Sequence, residues 1–259
     1  MSGAGSTTGR LIGPGRLIGP GRLIGPGRLI GLGLGPGDPE LITLKAARLL
    51  GSLGVVAHIR AAGAAGGMAL NIARGLIAPE AVLVEIEMPM RDDRSPGAAA
   101  YDAGAAAIAA HLAEGRDVGL LCEGDPLTFG SFMYLAARLS GRFPVEVVPG
   151  ITSMAGAAAR IGLPLAARTD CLAMIPATLP EPELAARIAA ADGMAILKIG
   201  RHLPKLRRVL EDAGLLARAW YVERATWPGE RILKLADLPD EAVPYFSLIL
   251  VHRRGEATA

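Results

Sequence analysis

Short apolar runs alternate with longer helix-forming stretches from Arg28 onward, and this alternation sets the expected fold. The runs Leu29–Leu34, Gly54–Ile59, Val82–Glu87, Val118–Cys122 and Val145–Val148 read as strands. Between them, Thr43–Gly51, Leu70–Ile77, Ala98–Glu114 and Gly130–Ser140 read as helices. Strand followed by helix, repeated, predicts a mostly parallel sheet with helices over it. Past Gly150 the pattern changes. Strands are expected at Cys171–Ile175, Ala195–Ile199 and Arg218–Glu223, with helices at Glu181–Ala190 and Leu203–Ala213. Two closely spaced runs, Arg231–Leu235 and Tyr245–Val251, end the pattern. Their short link predicts that they pair antiparallel within a smaller mixed sheet. The expected division is an N-terminal α/β domain over residues 28–143, a C-terminal α/β domain over 144–252, and a tail over 253–259.

Ahead of this pattern lies a repeat. Arg-Leu-Ile-Gly-Pro-Gly begins at Arg10, Arg16 and Arg22, and Arg28 starts a fourth copy with a changed ending. Copies this short, each holding a proline, cannot stack into a solenoid with a core. Residues 1–27 therefore read as a flexible Gly/Pro arm without a catalytic role, and their deletion is expected to leave turnover intact.

Composition narrows the classes. A chain of 259 residues has ample length for a buried core. Its net charge of +2 gives no broad basic face, so charge does not imply a nucleic-acid partner. The longest charge-free apolar stretches, such as Val147–Ala159, carry Pro or Gly and fall short of a membrane span, which takes about 20 residues. The first ten residues lack a basic segment followed by an apolar core, so no secretory signal is expected. Cys122 and Cys171 each lie in an apolar run and read as buried thiols in a reducing cytoplasm.

The chemistry sits in loops. A strand ending at Cys122 runs into Glu123-Gly124-Asp125-Pro126, and similar turns occur at Gly31–Pro39 and Pro149–Ser153. Loops at the carboxyl ends of strands bind small ligands in open α/β sheets, and three of them predict one pocket for an extended polar cofactor. The glycines at 31, 33, 35 and 37 superficially match a dinucleotide fingerprint, which keeps a nicotinamide-dependent oxidoreductase as a rival from another class. That motif needs a helix opening at its last glycine; here Pro36, Asp38 and Pro39 intervene. Asp38 before Pro39 also reads as a simple helix start. The four histidines, His58, His111, His202 and His252, lack metal-ligand spacing, so no metal is expected. No Gly-x-Ser-x-Gly elbow is present. Loop backbones and a few carboxylates suit a bound reagent that carries its own reactivity.

Three motifs then carry a resemblance. Gly33–Ala46 (Gly-Leu-Gly-Pro-Gly-Asp-Pro-Glu-Leu-Ile-Thr-Leu-Lys-Ala), Leu121–Ser131 and Val145–Ser153 are similar to the three signature loops of the tetrapyrrole methylases. Finer features over Gly130–Leu135, Ile175–Leu179, Lys198–Arg201, Tyr221–Arg224 and Pro244–Val251 resemble the branch of that family that methylates precorrin-2 at carbon 20 in cobalamin synthesis. The resemblance spans about Arg28 to Val251 and implies a two-domain α/β fold, a homodimer, and S-adenosylmethionine as methyl donor, with no metal. It implies that the donor lies folded in a cleft between the domains. The contacts carried over are Pro36, Glu123, Gly124, Asp125, Thr128, Thr152 and Ser153, then the strand ends and turn at Ile199, Val222, Pro244 and Tyr245. Asp125 can meet a ribose hydroxyl or a positive group, or can simply shape the turn before Pro126.

The acceptor implied is precorrin-2, which bears eight carboxylates. Guanidinium and ammonium groups are its natural partners. Arg201 and Arg224 are the expected contacts; Arg201 opens a basic run with His202, Lys205, Arg207 and Arg208 that also fits a solvated helix face, and Arg224 follows another strand. Glu123 and Tyr245 are the candidates for any proton acceptor. The sequence departs from the family where Thr128 precedes Phe129, in the Ala/Gly-rich Ala61–Gly67, and at 91–97, so acceptors such as uroporphyrinogen III or a later precorrin stay open.

Overall fold

The computed structural model describes residues 16–17, 23–89 and 94–254. Most of the repeat arm, the four residues 90–93 and the last five lie outside the described residues. Within the arm, β1 (Arg16–Leu17) and β2 (Leu23–Ile24) form a short antiparallel ribbon.

The chain divides into two compact units. The first holds the chain up to Gly33 together with Thr43–Pro149; the second holds Leu34–Ile42 together with Gly150 onward. The glycine-proline loop after the first long strand is thus counted with the second unit.

In the first unit, β3 (Leu29–Gly33), β4 (Val55–Ala61), β5 (Val82–Met88), β6 (Val118–Cys122) and β7 (Val145–Val148) form one sheet in the order β5-β4-β6-β3-β7. Every pairing is parallel. The fully buried runs of β3 and β6 occupy its interior, whereas the edge strand β5 exposes Val82 and Leu83. Strands covered on both faces need apolar residues at every position, which explains the unbroken runs. The helices are α1 (Leu44–Leu50), α2 (Met68–Ala73), α3 (Arg94–Ala113) and α4 (Phe132–Leu139). Thr43 starts α1 by accepting the Ala46 N–H at 3.2 Å. Phe132 of α4 lies over Gly31, where an added Cβ would come within 2.6 Å of the ring. Burying such a side chain contributes roughly 1.5–3 kcal/mol. At the amino end of the sheet, Arg28 pairs with Asp117 and Glu146, and Lys45 also reaches Glu146.

The second unit has the sheet order β11-β10-β12-β9-β8. Its strands are β8 (Leu172–Pro176), β9 (Gly193–Leu197), β10 (Trp220–Glu223), β11 (Arg231–Lys234) and β12 (Ser247–His252). Only β8 and β9 run parallel; the other pairings are antiparallel. The expected pairing of the last two strands with each other is corrected here. Strand β10 lies between β11 and β12 and pairs with both.

Helices α6 (Glu181–Ala190) and α7 (Leu203–Asp212) fall where expected. The sequence reading omits α5 (Ser153–Ile161). Thr152 caps it by accepting the Ala155 N–H at 3.3 Å, and Gly162 ends it at φ +66°. A second correction concerns Cys171. It precedes the edge strand β8 and is exposed, while Cys122 is buried. An edge strand has a neighbour on one side only, so an apolar run there does not guarantee burial.

Candidate functional site

In the first unit, β3 leads to β4 on one side and β6 leads to β7 on the other, although β3 and β6 are neighbours. Their connections leave in opposite directions, the topology at which open α/β sheets bind ligands beyond the carboxyl ends of their strands. The loop leaving β6 there carries four expected site residues, Glu123, Gly124, Asp125 and Thr128. Gly124 turns the chain at φ +64°, a conformation open to glycine without strain. Asp125 Oδ1 accepts the Leu127 N–H at 2.9 Å and the Thr128 hydroxyl at 3.3 Å. Its carboxylate therefore shapes the turn, and Thr128 is oriented by it.

Glu123 has a further role that sequence reasoning missed. Its Oε1 accepts the Ala69 N–H at 3.0 Å at the start of α2, tying the loop after β6 to the segment after β4. Part of the side chain reaches solvent. The protein mass around the carboxylate nevertheless pushes its pKa above the ordinary 4.5, against the opposing effect of the N–H groups of Glu123 and Ala69. Burial likewise drives the Cys122 thiol well above its usual value, aided by the charges of Glu123 and Asp125. A thiol held protonated is a poor nucleophile.

In the second unit, Pro36 packs on α5, where a Cβ at Gly156 would lie 2.6 Å from its ring. Gly37 lies against the Trp227 indole, and a Cβ there would come within 1.2 Å of the ring. Asp38 accepts the Glu40 N–H through Oδ1 at 2.9 Å and donates its own N–H to Thr226 Oγ1 at 3.0 Å. Asp38 thus does start a helical turn, as the simpler reading of that position had it. Thr226 in turn donates its N–H to Glu230 at 2.6 Å, and Glu230 pairs with Arg160 at 2.9 Å. Burial works against the Glu230 charge, but Arg160 and the Thr226 N–H hold its pKa below the ordinary range. A cavity of about 570 Å³ opens beside this cluster, lined by Asp38, Ile151, Arg160, Trp227 and Glu230 among others. None of the expected site residues lines it.

The other expected residues fall at two places in this unit. Thr152 and Ser153 form the start of α5. The rest lie toward one end of the sheet. Strands β9 and β10 both run antiparallel to β12, so both finish where β12 begins. Ile199 and Val222 are enclosed there, main chain included, at 0% and 1% exposure. Tyr245 is exposed and packs edge-on against Phe246 at 5.1 Å, and Ser247 donates its hydroxyl to the Pro244 carbonyl.

The basic run of α7 is largely committed within the unit. Lys205 donates to the Leu179 carbonyl, Arg207 to the Leu238 carbonyl, and Arg208 pairs with Glu181 at 2.9 Å. All three thus make contacts within the second unit. Arg201 and Arg224 are both exposed. Three residues at this sheet end, Lys198 (φ +58°), Arg224 (φ +49°) and Thr226 (φ +69°), hold left-handed backbone without being glycine. Each costs on the order of 1–2 kcal/mol. Phe129 in the first unit does the same at φ +54° and is exposed. Nothing in the sequence signals these conformations, because only glycine advertises a positive φ.

Among the described residues no group of His, Cys, Asp or Glu is arranged to hold a metal ion, and no helix is long and apolar enough to cross a membrane.

Comparison with known proteins follows this geometry. A family model for tetrapyrrole (corrin/porphyrin) methylases matches residues 28–239. A precorrin-2 C(20)-methyltransferase of a Sinorhizobium species is 47% identical over 97% of both chains. A cobalt-precorrin-2 C(20)-methyltransferase of Salmonella typhimurium is 36% identical, covering 87% of this chain and 96% of that protein. Among solved structures, a uroporphyrin-III C-methyltransferase from Thermus thermophilus, complexed with S-adenosylhomocysteine, superposes with a TM-score of 0.63 at 29% identity. It covers 87% of this chain and 97% of that one.

Proposed function

The chain belongs to the tetrapyrrole methylases, and on that premise we propose that it transfers the methyl group of S-adenosylmethionine to carbon 20 of precorrin-2 in cobalamin synthesis. The observation that carries the reading is the 47% identity, sustained over 97% of both chains, to a precorrin-2 C(20)-methyltransferase. The loop after β6 fits such a donor chemically. It offers main-chain groups at the turn of Gly124 and two carboxylates, Glu123 and Asp125, to a ligand with a sulfonium charge and ribose hydroxyls.

Bound, the donor supplies an electrophilic methyl group. Carbon 20 forms the new C–C bond as the S–CH₃ bond breaks, its electron pair returns to sulfur, and carbon 20 then releases a proton. The protein's part is to hold the reactants in line, which can lower a barrier by up to about 7–11 kcal/mol. Asp125 fixes the turn that presents the loop. Glu123, its carboxyl held above the ordinary range by burial and placed in the donor loop, is the proposed proton acceptor. Pro36, Thr152, Ser153, Ile199, Val222, Pro244 and Tyr245 complete the proposed donor contacts, and Arg201 and Arg224 take the acceptor's carboxylates. The working form is a cytoplasmic homodimer, binding neither nucleic acid nor membrane.

Calorimetry separates this reading from the oxidoreductase. S-adenosylhomocysteine should saturate the protein in the micromolar range and NAD should give no heat; the reverse would discard the proposal. Size-exclusion chromatography with light scattering reads the oligomer.

A further inference from the structure

In the second unit, the loop that carries Pro36 is tied to the turn after β10 by a residue that its own backbone penalises. Thr226 holds left-handed backbone at φ +69°. A β-branched side chain is a steric outlier in that region. Glycine would adopt the same conformation without strain, and would still present the main-chain N–H that Glu230 accepts at 2.6 Å. What glycine lacks is the hydroxyl. Thr226 Oγ1 accepts the Asp38 N–H at 3.0 Å, a contact across 188 positions of sequence. The strain therefore keeps a side chain that the turn itself does not need, and it keeps it against the loop.

Other contacts converge on the same point. The Pro36 ring packs where a Cβ at Gly156 of α5 would come within 2.6 Å, and the Thr226 methyl group lies 3.6 Å from that same position. Trp227, next in sequence, covers Gly37 and leaves no room there for a Cβ. Glu230 accepts the Thr226 N–H and pairs with Arg160 of α5 at 2.9 Å, which anchors the turn independently of the loop. Pro36, Gly37 and Asp38 thus meet three different partners: α5, Trp227 and Thr226. Packing on a glycine sets how closely the loop approaches. A hydrogen bond has direction, so the Thr226 contact also sets how the loop is turned.

We infer that Thr226 is a positioning residue for methyl transfer: its hydroxyl, bound to the Asp38 N–H, orients the loop on which Pro36 meets the methyl donor. This role rests on the methylase reading, in which Pro36 is a proposed donor contact, and deepens it. The competing case is a threonine that serves stability alone. Loss of its hydroxyl would then lower the melting temperature and leave the folded protein's affinity for the donor unchanged.

The test uses the full-length protein with Thr226→Val, Thr226→Ser and Thr226→Gly. S-adenosylhomocysteine binding is read by calorimetry, the KM of each substrate by steady-state turnover, and melting temperature alongside. Thr226→Val keeps the side-chain shape and removes the hydroxyl. It should raise the S-adenosylhomocysteine Kd and the S-adenosylmethionine KM about tenfold, the scale of one lost hydrogen bond. The precorrin-2 KM should stay at its wild-type value, because the turn keeps its N–H bond to Glu230. Thr226→Ser, which retains the hydroxyl, should bind S-adenosylhomocysteine as the wild type does. Thr226→Gly should melt no lower than Thr226→Val, its strain being relieved, and yet show the same loss of affinity. Wild-type S-adenosylhomocysteine affinity in Thr226→Val would overturn the role, as would an equal rise in both KM values. Should Thr226→Val fail to fold, Thr226→Gly decides in its place, and wild-type affinity there overturns the role. If the wild type binds S-adenosylhomocysteine and the variants match it, the role falls alone. If the wild type does not bind it, the methylase reading falls and the role falls with it.

Discussion

The two sheets end differently. Where β6 of the parallel sheet ends, the chain turns on a glycine, Gly124, and presents carboxylates from Glu123 and Asp125. Where β9 and β10 of the mixed sheet end, it turns on Lys198 and Arg224, cationic residues held in left-handed backbone. Both regions hold left-handed backbone at a residue other than glycine, Phe129 in the first and Lys198 and Arg224 in the second, but the first is acidic and the second basic. A positive sulfonium donor calls for the first kind of surface and a carboxylate-rich acceptor for the second. The contrast shows that the two regions differ in charge more than in backbone: both bend through left-handed residues, glycine and other types alike, and the side chains beside each bend set what it presents.

The largest effect should come from the acidic loop. Asp125→Ala removes two hydrogen bonds that hold the turn. Bonds to a charged group contribute about 1.5–3 kcal/mol, so kcat/KM should fall about 100-fold, with a matching loss of S-adenosylhomocysteine affinity. A fall of less than threefold would show that the turn is set by main chain alone.

Next in size is a packing effect. Each unit seats an aromatic ring on a glycine, Phe132 on Gly31 and Trp227 on Gly37. Gly37→Ala forces the indole to move and should cost roughly 1–3 kcal/mol, read by denaturant unfolding. Gly31→Ala should cost a similar amount. If Gly37→Ala unfolds at the wild-type midpoint, the loop of residues 34–42 is not held by Trp227.

On the basic side, Arg224→Ala should raise the tetrapyrrole KM about tenfold and leave the midpoint of unfolding nearly unchanged. A steady-state titration of precorrin-2 checks this. An effect on stability without one on KM would make Arg224 a turn residue only.

The smallest effect is one of pH. The Glu123 carboxyl is held above the ordinary 4.5, so between that value and its native pKa the folded state keeps a proton that the unfolded chain has lost. The contribution of this group to stability is therefore greatest below 4.5 and declines as pH rises through the native pKa. Glu123→Gln removes the titration. Stability of the wild type relative to the variant should fall with rising pH across that window, and a rise would reverse the sign assigned to the carboxyl.

Much of the framework was legible in the sequence, for physical reasons. Strands β3 and β6 are buried on both faces, so their apolar runs are continuous and unambiguous. Glycine and proline after them mark where the chain must turn, and the loop carrying Asp125 was located on that basis. What stayed hidden depends on contacts distant in sequence. The placement of β10 between β11 and β12 follows from strand pairing, not from the link between the last two strands. Helix α5 was masked by Pro149 and Gly150 and by its own alanine and glycine, although Thr152 and Gly162 were its available cap signals. The commitments of Lys205, Arg207 and Arg208, and the contact between Glu123 and Ala69, join segments 26 or more residues apart.

Incubation of the full-length protein with precorrin-2 and S-adenosylmethionine carrying a ¹³C-labelled methyl group, read by NMR, decides the matter. A single new methyl signal on carbon 20, together with stoichiometric S-adenosylhomocysteine, is the expected result. Label appearing at another ring position, or remaining wholly in the donor, would contradict it.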